Sequence, residues 1–129
     1  MISSARFTLV VTLLLALFSS ARGADLAGKW KAEFSTLIGV QKYLFEFKID
    51  GDKLTGTATG EREGEKIAVP ITEGRVADGK ISFVERLTFQ GQEIRIVYTG
   101  AFQGDDELKL SRQVGEVATE ELVAHRVKE

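Results

Sequence analysis

A chain of 129 residues with no cysteine has the size of one domain and must hold itself by a packed core, without disulfides. Its 17 basic and 19 acidic residues nearly balance, which leaves no electrostatic footprint for nucleic acid or an anionic membrane as partner.

Residues 1–23 read as a targeting segment. Arg6 gives it a positive start, residues 7–18 are an uncharged apolar run of 12, and Ser19, Ser20, Ala21, Arg22 and Gly23 form a small-residue end. Cuts after Ala21 and after Gly23 both fit a small-x-small rule, and the second is preferred. It leaves one domain, 24–129, with 15 basic and 19 acidic residues, a net charge of −4. A transmembrane anchor is the alternative, but a span needs roughly 20 apolar residues. No Cys follows the run to carry a lipid. The expectation is export to the periplasm or the extracellular space, by a bacterial route that suits a chain without Cys.

After Gly23 the apolar residues alternate and glycines punctuate them, the pattern of short strands and tight turns. Eight strands are expected. The first, 28–35, turns Trp30, Ala32 and Phe34 to one face. The second, 42–50, does so with Tyr43, Phe45, Phe47 and Ile49, and the third, 53–60, with Leu54, Gly56 and Ala58. The fourth, 65–77, carries Ile67, Val69 and Ile71 in phase. It bends or bulges near Pro70 (the single proline) and Gly74. The fifth, 80–89, aligns Ile81, Phe83, Glu85, Leu87 and Phe89. The sixth, 92–102, aligns Ile94, Ile96, Tyr98, Gly100 and Phe102. The seventh, 107–113, aligns Leu108, Leu110 and Arg112. The last segment, 117–127, fits a helix less well than a strand because of its valines.

A loose repeat supports this layout. Ile49-Asp50-Gly51-Asp52-Lys53-Leu54 returns as Val76-Ala77-Asp78-Gly79-Lys80-Ile81, and again around Gly104 between Phe102 and Leu108. Gly and Asp accept the positive φ of hairpin turns. In an up-and-down meander, turns two strands apart share an end, so these three turns lie together. Segments 36–41 and 61–64 and the turns at Gln90-Gly91 and Gly115 form the other end. The fold class is therefore all-β: an eight-stranded antiparallel up-and-down β-barrel, which removes both sheet edges, with an open sandwich as the alternative.

Gly28-Lys29-Trp30 at the start of the first strand and Arg126 near the end of the last resemble the calycin superfamily of lipocalins, fatty-acid-binding proteins and avidins. There a Gly-x-Trp motif opens the barrel and a late basic residue packs on the Trp. The resemblance implies a barrel plug made of Gly28, Trp30 and Arg126. Residues 47–60 and 74–83, with Ala124-His125-Arg126-Val127, are also similar to small uncharacterised secreted lipocalin-like proteins of bacteria. The short chain has neither a long helix after the barrel nor a disulfide pair, which argues against a large hydrophobic ligand.

Catalytic groupings are missing from the pattern. His125 is the single histidine, and without Cys it cannot build a multi-His or thiolate metal site. No Ser-His-Asp spacing or phosphate-cradling loop is present. Glu61, Glu63 and Glu65, like Asp105, Asp106 and Glu107, read as solvated turns. No enzyme activity, cofactor or metal is expected.

The chemistry that remains is binding. Glu85 stands in phase with Phe83 and Leu87, Phe83 falls opposite Tyr98, and Tyr98 falls beside Arg112. Glu85, Tyr98 and Arg112 then converge inside the barrel, either as a structural ion pair or as a grip on the polar end of a small ligand. The expected ligand-binding set is Phe34, Tyr43, Phe45, Phe47, Glu85, Phe89, Tyr98 and Arg112, at a mouth formed by 36–41, 61–65, 90–92 and Gly115. The function expected is that of a secreted non-enzymatic binding protein holding a small apolar or amphipathic ligand. The alternative is a protein-interaction module, such as a periplasmic enzyme inhibitor or assembly partner, using an outward patch at Leu44, Val84 and Val97.

Overall fold

A computed structural model describes residues 26–128. The leader expected at 1–23 and its cleavage sites lie outside those residues. The strands are β1 (Gly28–Thr36), β2 (Gly39–Asp50), β3 (Lys53–Arg62), β4 (Glu65–Pro70), β5 (Thr72–Ala77), β6 (Lys80–Phe89), β7 (Gln92–Phe102), β8 (Glu107–Val114) and β9 (Ala118–Arg126). All pairings are antiparallel, and β1 joins both β2 and β9. With β2 on β3 the sheet closes, and β4 and β5 together make one stave of an eight-stranded barrel. The final segment is a strand, β9, paired along its length with β8.

Local chemistry explains the turns. Glu63-Gly64, Asp78-Gly79 and Gln90-Gly91 each have positive φ at both residues, the geometry of a type I′ hairpin that matches strand twist. The β1–β2 connection is tighter than the expected 36–41 loop. Only Leu37 and Ile38 lie between the strands, and the Thr36 hydroxyl fixes the turn by donating to the Gly39 carbonyl and accepting from the Ile38 amide.

The fourth stave breaks at Ile71. Pro70 has no N–H for a ladder, Glu73 takes a φ of 53°, and the register between β5 and β6 shifts between Thr72 and Arg75. The break has a consequence beyond a bend. β5 pairs with β6 only up to Val84, and β4 pairs with β3 alone. Among the described residues the Glu85–Phe89 half of β6 therefore has β7 as its single ladder partner, and the wall carries a slit between β4 and β6.

Inward side chains fill the barrel's lower half. Phe45, Phe47, Phe83 and Tyr98 interlock, with Phe83 and Tyr98 stacked at 4.5 Å and Phe45 and Phe47 at 5.8 Å. At the closed end Trp30 is fully buried, and its indole N–H donates to the Leu26 carbonyl at 2.9 Å. The Arg126 guanidinium lies 4.3 Å from the Trp30 ring centroid and bonds Asp106 and the Asp105 carbonyl. Gly28, at φ 122°, opens β1 just before this contact. One expectation is corrected: Val84 is buried, so no outward patch joins it to the exposed Leu44. The Thr72–Arg75 bulge lets Glu73 reach across to Arg95 and Arg86 on the same outer face, and polar pairing occupies the surface beside Val84.

Candidate functional site

The barrel mouth is ringed by the turns at 37–38, 63–64, 90–91 and 115–117. Beneath it lies a buried polar network. Register places Phe83 opposite Tyr98, Tyr98 opposite Arg112 and Arg112 opposite Glu120. Every second residue points inward, so Glu85, Tyr98 and Arg112 meet in the interior as the alternation predicted.

Each phenol donates one hydrogen bond and accepts another. Tyr98 donates to Glu85 Oε1 at 2.7 Å and accepts from Arg112 Nε at 2.9 Å. Tyr43 donates to Glu85 Oε2 at 2.8 Å and accepts from Arg112 Nη2 at 3.1 Å. Arg112 Nη1 donates to Glu120 Oε1 at 2.6 Å. The guanidinium also lies 5.4 Å from the centre of the Phe34 ring. Glu85 and Arg112 are almost wholly buried, and a buried charge is tolerable only when its bonding sites are matched in this way.

Burial raises both tyrosines well above their ordinary value, and the facing Glu85 carboxylate adds to the rise, so both stay neutral. For Arg112, burial works to lower the pKa, but the two phenols and Glu120 reverse that and leave it raised.

Two clefts open above the network. The larger, about 210 Å³, is lined by Leu37, Ile38, Ile94, Val114 and Val117, with Arg112 and Glu120 at one side. The smaller, about 90 Å³, follows the slit and is lined by Tyr43, Glu61, Arg62, Glu65, Ile67 and Glu85, among others. Ile38, Gln41, Leu87 and Phe89 border both. Of the expected ligand-binding set, Tyr43, Glu85, Phe89 and Arg112 line these clefts. Phe34, Phe45, Phe47 and Tyr98 line neither; they are core, and Tyr98 reaches the clefts only through its bonds to Glu85 and Arg112.

Two residues escaped the sequence reading. Glu120 was legible in principle, since counting back from the Gly115 turn puts it across from Arg112. Gln41 was assigned to a loop, yet the tight Leu37-Ile38 turn makes it an inward residue of β2. Among the described residues no group of three His, Cys, Asp or Glu side chains is placed to hold a metal ion. No helix there is long and apolar enough to cross a membrane. No protein-family model, curated protein or solved structure matches the chain.

Proposed function

We propose that this chain is an exported, non-enzymatic binding protein of lipocalin-like type that holds a small amphipathic ligand at its barrel mouth. One observation carries the reading. An apolar cleft and a polar cleft adjoin across Ile38, Gln41, Leu87 and Phe89, above a network of fixed hydrogen-bonding groups. Pockets that fix a small molecule by an apolar wall and a few placed polar groups have this form, and roughly 300 Å³ is the lower end of their size. The filled lower barrel limits the ligand to the mouth. Lipocalin-like identity draws on the Trp30–Arg126 contact at the closed end and on the eight-stave barrel. The apolar leader supports export.

The test is a heteronuclear NMR titration with 1-octanol, together with native mass spectrometry of protein from its own source. Saturable shifts at Ile38, Gln41, Leu87 and Phe89, or a retained small molecule, support the reading. Absence of both, with 1-octanol, octylammonium and octanoate alike, overturns it. A second reading, a protein-interaction module, is favoured by one feature. Leu37 and Val117 at the rim are 77% and 75% exposed, and Ile38 and Val40 beside them are also exposed. A macromolecular partner retained in the mass spectrum, with no small molecule, would support that reading instead.

A further inference from the structure

Gln41 is the unusual group at the mouth. It is 7% exposed and borders both clefts, yet its side-chain amide has no hydrogen-bond partner among the described residues. No side-chain nitrogen or oxygen among these residues is both sealed from solvent and unpartnered, so the Gln41 amide must reach the cleft space. With no protein partner among these residues, that amide is left to bond whatever occupies the cleft, water or a ligand.

The charge around it is one-sided. Glu61, Glu65 and Glu85 face the smaller cleft against a single cation, Arg62, which lies 5.7 Å from the Phe89 ring centre. Behind it Arg112 has all three nitrogens engaged, to Tyr98, Tyr43 and Glu120. The guanidinium pairs directly with Glu120 and reaches Glu85 only through the two phenols. The slit between β4 and β6 brings this surface within reach of the cleft.

We infer that the head group taken here is a primary ammonium on a short apolar tail, its N–H groups shared between the Gln41 Oε1 atom and the Glu85 carboxylate, its tail among Ile38, Leu87, Ile94 and Val114. This rests on the proposed mouth site and adds the sign of the ligand's charge. An anionic head group would meet the carboxylates; an ammonium answers both the acid excess and the unfilled amide acceptor.

The experiment compares octylammonium, 1-octanol and octanoate by calorimetric titration at neutral pH. Octylammonium is expected to bind at least tenfold more tightly than octanoate and more tightly than 1-octanol. Gln41→Leu, which orphans no partner and so keeps the fold, lowers octylammonium affinity at least tenfold. Glu85→Gln lowers the ratio of octylammonium to 1-octanol affinity by a similar factor, with circular dichroism confirming its fold. Octanoate or 1-octanol binding as tightly as octylammonium overturns the inference and leaves the mouth site standing. So does an unchanged octylammonium affinity in Gln41→Leu. Binding of none of the three overturns the inference, and, where no small molecule is retained from the native source either, the mouth site itself.

Discussion

Tyr98 stands directly across the β7–β8 ladder from Arg112, and the Arg112 Nε donates to its hydroxyl at 2.9 Å. That bond sets the direction of the whole network. The phenol, having accepted from the cation, is free to donate to Glu85, and a charge on one stave is answered on another two strands away. The interior is specific because these bonds must all form together.

Breaking the network from its cationic side should be severe. Arg112→Met leaves the partly buried Glu120 without its ion pair and the buried Glu85 network without its cation, and is expected to cost about 3–5 kcal/mol. Glu85→Gln keeps an acceptor for one phenol and should cost about 1–2 kcal/mol. Urea unfolding with a common slope separates the two. Equal losses would mean that the charge on Arg112 carries no special weight.

The two tyrosines of the chain are both in this network, which makes alkaline titration selective. Their folded pKa values lie above the ordinary 10.0. A raised folded value gives stability that is complete below the unfolded pKa and is lost as pH climbs toward the folded one. Stability should therefore be level with respect to these groups near neutrality and fall above about pH 10, by up to about 1.4 kcal/mol per pH unit per tyrosine. Tyrosinate absorbance should rise only with unfolding, in one cooperative step. A gradual rise near pH 10 in folded protein would contradict the buried geometry.

Gly56 separates steric need from turn preference. It has φ 142°, and an added Cβ would run into the Glu46 carbonyl of the facing strand. Gly56→Ala should cost at least about 3 kcal/mol. Gly79 has positive φ but open space around it, so Gly79→Ala should cost about 1 kcal/mol of backbone strain. Thermal melts of the two variants check the order, and the reverse order would refute the close approach of β2 and β3.

At the closed end, Arg126→Met removes the cation over the single tryptophan. A loss of about 1–2 kcal/mol is expected, read from denaturant unfolding followed by Trp30 fluorescence. No change in midpoint would show that the contact seals nothing.

Alternation along the chain determined which residues face inward, because a strand's side-chain period is two and most staves bury one face. That reasoning was enough to place Trp30, Phe45, Phe83, Tyr98 and Arg112 inside, and the turns at Gln90-Gly91 and around Gly104 gave the registers that bring Glu85, Tyr98 and Arg112 together. Local pattern has no access to contacts between distant strands. Tyr43 joins Glu85 across 42 positions of sequence, and only closure of the barrel decides that meeting. Nor does pattern measure space. The same aromatic residues suit a filled core or an open pocket, and the packing of Phe45, Phe47 and Phe83 fills the lower barrel and leaves only the mouth. The slit, too, belongs to tertiary structure: Pro70 foretold a bend, but that β4 would leave β6 and open Glu85 to a cleft followed from how the two halves of one stave found different partners.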